Sequence, residues 1–430
     1  MSSLEQEATT SESTPLLRDN EDTSNVKEES FKDLKGSFKP LMASFYIAIV
    51  AGLNDGSLGA IIPRVKEYYN ISNETISLLF LCSALGFFAS ASVNGTLVHH
   101  LGQYRVLVLG SSTVLGAYTF IMFGLPFPLM GLAMVFVGAG MAVLDAGMNV
   151  YTANLPLATL LLNTLHAVYG VGAMLSPLVA TFLLERDISW KGIYVFLTAV
   201  CVINIISIVT CFRKVDFEVP EEESPDGTTK PNHSELTKAA IFNRMTLIGA
   251  AYILVYVGVE VTLGGWGYTF LTEGRHGDHI AMEKVVSGFW AGLASGRLLL
   301  GYLAGRFGEK LMITLFTVLV LFGLIAMITS SDIVLNSTVF ISFGLLLGPL
   351  FPVTVSLASK VLPRSYHATS IGFIAALGSG GAALFPFITG QIAGKFGIIS
   401  MPTVCLVMTS VMIVLWAFVP SNKPFFAACK

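Results

Sequence analysis

Apolar residues in this chain run in stretches of about twenty, separated by short polar breaks, with no strand-like alternation. Such stretches have the length an α-helix needs to cross roughly 30 Å of hydrocarbon. They fall at 41–63, 74–98, 105–125, 128–151, 159–184 and 190–212, and again at 242–271, 284–305, 310–329, 334–359, 366–391 and 398–419. A polar stretch from Arg213 to Lys238 separates the two sets. Lipid offers backbone N–H and C=O groups no partners, so helices are the form expected. The pattern predicts an all-α membrane protein of about twelve transmembrane helices in two six-helix pseudo-repeats. The units are a disordered tail over 1–40, an N-terminal bundle over 41–212, a linker over 213–240, a C-terminal bundle over 241–420 and a tail over 421–430.

Composition agrees: 53% of the residues are hydrophobic, 12% are charged, and mean hydropathy is +0.72. A soluble surface needs more charge than that. Nine of the 28 acidic residues lie in 1–40 and seven more in 213–240, where Glu221–Glu223, Pro220 and Pro225-Asp-Gly227 favour a solvated tether. A net charge of −3 offers no basic face, so no nucleic acid is expected as a partner. Cys82, Cys201, Cys211, Cys405 and Cys429 have neither metal-ligand nor disulfide spacing, and no metal or other cofactor is expected. No cleavable leader is expected either, the first span serving as insertion signal.

With twelve spans, both tails and the central linker share one side. Of the 25 Lys and Arg residues, 17 fall on that side, 7 on the other, and Arg297 lies within a span. The positive-inside rule then places both termini in the cytosol. Sequons at Asn70, Asn73 and Asn336 face the other way, close to the membrane.

The two sets of spans also resemble each other. At an offset of 206, Gly95 overlays Gly301 and Gly102 overlays Gly308. Asp55-Gly-Ser-Leu-Gly59 overlays Glu260-Val-Thr-Leu-Gly264 at 205, and Gly172–Pro177 overlays Gly381–Pro386 at 209. Parallel repeats of this kind place a solute site near the midplane between two bodies that rock against each other.

Ionisable residues inside spans are costly and therefore informative. They are Asp55 in the first span, Asp145 in the fourth, His166 in the fifth, Glu260 in the seventh and Arg297 in the eighth. Asp145 and Asn149 share a helix face, an arrangement suited to a hydroxyl-rich ligand or a proton, or to a helix–helix hydrogen bond. Asn54 and Asp55 lie in a glycine-rich stretch, and Glu260 takes the equivalent place in the second repeat. Both carboxylates are candidates for a central site, or else for outer-end partners of Arg64 or Lys66. His166 is a proton-relay candidate or a packing residue. Tyr169, Trp266, Trp290 and Tyr151 could stack on a sugar ring. Arg297 is expected to pair with a carboxylate or with helix-end carbonyls and, with Arg306, to serve gating.

Two segments, Gly95-Thr-Leu-Val-His-His-Leu-Gly-Gln-Tyr-Arg105 and Gly301-Tyr-Leu-Ala-Gly-Arg-Phe-Gly-Glu-Lys310, resemble the loop motif of the major facilitator superfamily. His99 and Gly305 stand where that motif has Asp. Within the superfamily, Leu53-Asn-Asp55, Gly138-Ala-Gly140, Leu144-Asp145 and Asn149 resemble the fucose permease-like sugar:proton symporters. Thr164-Leu-His166, Gly170-Val-Gly172 and Val257–Glu260 resemble their fungal and animal members. The resemblance implies the major facilitator fold, Asp145 as proton-coupling carboxylate, and Asn54 and Asp55 in substrate binding.

The expected function is proton-coupled symport of a sugar or other small polar solute by alternating access, driven by a proton or other cation gradient. Alternatives are export of amphiphilic or drug-like compounds and a non-transporting membrane sensor or scaffold. No phosphate-binding loop or nucleophile–base pair suggests an enzyme. Glu12-Ser-Thr-Pro-Leu16-Leu17 matches an acidic-dileucine signal, pointing to a clathrin-adaptor partner and a vacuolar or lysosomal membrane, with the plasma membrane as the alternative. The remaining partners expected are a small-molecule solute and the lipid bilayer, with the chain as a monomer.

Overall fold

A computed structural model describes residue 34 and residues 36–215, 233–363 and 366–421. The sorting residues Glu12, Leu16 and Leu17 and the acidic centre of the linker lie outside the described residues. Every regular element among the described residues is helical. The first bundle comprises α1 (Phe38–Tyr69), α2 (Asn73–Leu101), α3 (Gln103–Met122), α4 (Phe127–Ala153), α5 (Ala158–Leu184) and α6 (Lys191–Phe212). A short helix, α7 (His233–Ile241), leads into α8 (Arg244–Thr269), α9 (His279–Phe307), α10 (Glu309–Thr329), α11 (Ile333–Leu347), α12 (Leu350–Val361), α13 (His367–Phe396) and α14 (Met401–Phe418).

Among the described residues, eleven helical spans are long and apolar enough to cross a membrane. The twelfth expected span is α9, which is 29 residues long but carries Glu283, Lys284, Arg297 and Arg306. Lipid-type side chains cover the outside: Phe120, Leu299 and Phe322 are each 62% exposed. That inverts the soluble pattern, as a bilayer solvent requires.

Three departures from the expected spans have local causes. The tenth span breaks into α11 and α12 at Gly348-Pro349, where Pro349 has no N–H to continue the ladder. The seventh span runs on through a π-turn at Phe270–Gly274. The end of the expected linker is helical as α7, which packs on α13 and α8. Ser370 holds it there, donating to the Ala240 carbonyl at 3.2 Å. The sequon at Asn336 is also corrected. Asn336 is fully buried, and its amide donates to the carbonyls of Ser330 and Asp332 at 3.0 and 2.6 Å, so it cannot accept a glycan.

The repeat seen in sequence recurs as geometry. Gly102 and Gly308 both take positive φ, 78° and 110°, and each joins two spans. Helix crossings repeat residue for residue. A Cβ on Gly138 of α4 would lie 1.8 Å from the Ser83 carbonyl oxygen of α2. One on Gly344 of α11 would lie 1.9 Å from that of Phe289 on α9, and both members of each pair are 206 residues apart. The crossings need glycine because backbone meets backbone.

Valine at Gly138 or at Gly344 should therefore destabilise the protein by a similar amount, about 1–3 kcal/mol or more. Alanine at Gly95, which meets nothing within 4 Å, should be nearly neutral. Thermal unfolding in detergent checks all three.

Candidate functional site

Four helices of the first bundle and two of the second bring polar groups to the middle of the molecule. Asp55 lies near the centre of α1 and is solvent-exposed, while Gly56 to Ile62 after it are all buried. A carboxylate exposed at mid-membrane depth must face an aqueous space between helices. Two donors orient it: Tyr169 of α5 donates its hydroxyl to Oδ2 at 2.6 Å, and Asn54 donates Nδ2 to Oδ1 at 2.9 Å. Asn54 is fixed in turn by Tyr118 of α3, whose hydroxyl donates to Oδ1 at 2.8 Å.

The close meeting of α1 and α5 sets this geometry. A Cβ on Gly52 would lie 2.0 Å from the Tyr169 carbonyl oxygen, so only glycine lets α5 come near enough for Tyr169 to reach Asp55. Asp145 of α4 is half-buried and interacts electrostatically with Asp55. Asn149, one turn later, donates Nδ2 to the Asp145 carbonyl at 2.9 Å and to its Oδ1 at 3.1 Å. No cation is paired with Asp55 or Asp145 among the described residues.

The second bundle contributes an ion pair. Arg297 of α9 donates Nη2 to Glu260 Oε1 of α8 at 3.3 Å and Nη1 to the His166 carbonyl of α5 at 3.1 Å. Arg297 thus bridges the bundles near mid-depth, with its guanidinium carbon 5.8 Å from the Tyr169 ring. Glu260 is buried, and Tyr256 stands beside it one turn earlier. A chain of polar contacts therefore runs from Tyr118 through Asn54, Asp55 and Tyr169 to Arg297 and Glu260.

The other candidates fall elsewhere. Trp266 is fully buried, its indole donating to the Pro386 carbonyl at 2.9 Å. Trp290 is 2% exposed and lies edge-on to Phe289. Both fill the seam on the non-terminal side of the polar centre and have no access to the open space in this state. Tyr151 donates to the Ser37 carbonyl at 3.2 Å, at the terminal end. Arg306 is exposed there, against Phe307. The alternative partners for Asp55 and Glu260 are otherwise engaged: Arg64 pairs with Glu283 at 3.3 Å and Lys66 with Glu273 at 2.8 Å.

The open space has a direction. On the face opposite the termini the bundles are joined by those two pairs, by Lys284–Glu185 at 4.0 Å, and by Gln391 donating to the Glu74 carbonyl and Ser77 at 3.0 Å. Contacts between bundles continue to Gly380 with Phe88 and to Arg297 with His166. Towards the terminal face, the main packing partners of α4 are helices of its own bundle, and so are those of α12, among the described residues. The structure is closed on the opposite face, and the described contacts between bundles stop short of the terminal one.

Tyr118, Tyr256 and the carboxylates Glu273 and Glu283 were missed from sequence. Tyrosines are common in apolar spans, and the acidic pair sits at a span's edge, where charge is unremarked.

Two parallel six-helix bundles, related by matched glycine crossings around a polar centre, agree with a sequence match. The model of the Major Facilitator Superfamily covers residues 44–386 and 248–427. The chain belongs to the Major Facilitator Superfamily. It is 27% identical over 423 residues to Bypass of stop codon protein 6 of Saccharomyces cerevisiae, covering 88% of this chain and 82% of that one. It is 21% identical over 392 residues to the glucose/mannose transporter GlcP of Bacillus subtilis, covering 88% and 95%. Its fold matches the crystal structure of a D-xylose-proton symporter with a TM-score of 0.73, covering 90% and 99% at 13% identity. This superfamily member is a multi-pass membrane transporter of a small-molecule solute.

The Arg297–Glu260 pair gives a direct prediction. Glu260→Gln leaves the guanidinium poorly compensated and should cost about 3–5 kcal/mol. Glu260→Gln combined with Arg297→Met should recover much of that loss. Thermal unfolding of the three proteins in detergent measures both effects.

Proposed function

We propose that this transporter carries a sugar or similar small polyol together with a proton by alternating access, and that the structure is its cytosol-facing state. One observation carries the reading: Asp55 is held by Tyr169 and Asn54 yet open to water at mid-membrane depth. A carboxylate oriented by two donors keeps free lone pairs, and these can accept hydroxyl groups of a polyol. Asn149 and Tyr169 supply further polar groups beside it. Sugar transporters and sugar symporters among the similar proteins support this solute class.

Asp145 is the proton carrier in this reading. It has a neutral amide one turn away, no paired cation among the described residues, and the charge of Asp55 nearby. Two carboxylates facing one space favour sharing a proton, because a single charge is easier to move across the membrane than two. Glu260 is committed to Arg297, and Arg297 reaches across to the His166 carbonyl of the other bundle. Orientation with both termini in the cytosol rests on the Lys/Arg bias, and residence in a vacuolar or lysosomal membrane rests on the Glu12–Leu17 signal.

Proteoliposomes with an alkaline interior should accumulate labelled solute from a panel of hexoses, pentoses and polyols. A protonophore should abolish accumulation. Asp145→Asn should lose accumulation yet retain solute exchange at equal pH, because binding and rocking remain. Accumulation that survives the protonophore would reject proton coupling.

A further inference from the structure

The face opposite the termini holds a carboxyl group that the transport site does not use. Glu283, in the first turns of α9, has no exposed side-chain surface. Its Oε1 accepts from Arg64 of α1 at 3.3 Å, and its Oε2 has no hydrogen-bond partner. A buried carboxylate oxygen without a donor is uncompensated. The same pair joins the two bundles, so the weak point in solvation is also a joint of the closed face.

The solvent-exposed start of α9 lies one turn away. Tyr268 of α8 is fully buried, interacts with both Arg64 and Glu283, and shares a hydrogen bond of 3.1 Å with Nδ1 of His279. His279 is solvent-exposed and lies one turn before Glu283 on the same face of α9. The other charged groups nearby have their own engagements. Glu273 of the π-turn is held by Lys66, Lys284 of α9 faces Glu185 of α5, and Asp278 caps α9 by accepting from the Ala281 N–H at 2.8 Å.

We propose that Glu283 is a second proton-binding site and that its protonation opens the face opposite the termini. A proton from water on that face enters beside exposed His279, and Oε2, which has no partner of its own, takes it up as the Arg64 contact loosens. Carboxylate becomes carboxylic acid, the ion pair with Arg64 is lost, and no other bond changes. The remaining ion pairs, Lys66–Glu273 and Lys284–Glu185, are partly exposed and weaker, and Gln391 adds neutral hydrogen bonds to the Glu74 carbonyl and Ser77. Acid on that face therefore biases the transporter towards the state that loads solute there. The inference does not depend on Asp145 as the transported-proton carrier.

The test uses spin labels on the full chain at Glu67 and Ile399, exposed positions at that face on opposite bundles. Distances are measured by double electron–electron resonance in nanodiscs without solute, at about pH 7.5 and about pH 5. The wild type should shift to a longer distance in acid, and so should Asp145→Asn. Glu283→Gln, which mimics the protonated acid, should give the long distance at both pH values. Arg64→Gln, which removes the other half of the joint, should do the same. A Glu283→Gln protein that stays closed at neutral pH, or keeps the wild-type acid shift, would overturn the proposal. So would an Arg64→Gln protein with an unchanged response. Loss of uptake in Asp145→Asn with an intact distance shift separates this site from the transport site.

Discussion

Charge inside a low-dielectric slab must be paired or wetted, and this constraint organises everything between the two bundles. Arg297 meets it by pairing with Glu260 and taking a backbone carbonyl from the other bundle. Asp55 meets it through two hydrogen bonds and water, and Asp145 through Asn149. Pairing a group with a neighbour fixes it in place, whereas leaving it to water makes it available. The paired groups thus form the frame, and the wetted ones form the site.

The same division separates the two faces. On the opposite face, glycines bring backbones together: a Cβ on Gly59 of α1 would lie 2.4 Å from the Gly264 carbonyl oxygen of α8. Trp266 and Trp290 fill the volume behind that contact, and ion pairs close its rim. Across this seam Phe80 of α2 also meets Trp266 of α8, with ring centroids 6.1 Å apart. In the proposed cycle, rocking of one bundle on the other exchanges these contacts for others on the terminal face.

Much of the architecture was readable because membrane spans are a problem of length and polarity. The twelve expected spans lie within six residues of the helices at their ends, the tenth as the two helices α11 and α12, and the matched glycines announced the repeat. The break at Gly348-Pro349 was not legible from the proline alone, since Pro63, Pro177 and Pro386 lie inside unbroken helices. Helix α7 was hidden because its nine residues are shorter than any span and follow an acidic stretch. At the site, Asp55, Asp145, Glu260 and Arg297 were found because charge within a span is rare. Asn149 was legible as the neighbour of Asp145 from their spacing, but partners across helices, such as Tyr169 for Asp55, were not, since those hydrogen bonds depend on rotation about each helix axis. Asp55 and Glu260 occupy equivalent places in the repeat yet play different parts: one is open to water and one is locked to Arg297.

The proposed site depends on Asp55 facing an aqueous space reached from the terminal face. Asp55→Cys, in a background with the native cysteines replaced, can be reacted with a membrane-impermeant thiol reagent supplied to either face of oriented vesicles. Reaction is expected from the terminal face, slowed by transported solute. Failure to react from that face, in protein that still folds and inserts, would contradict that placement.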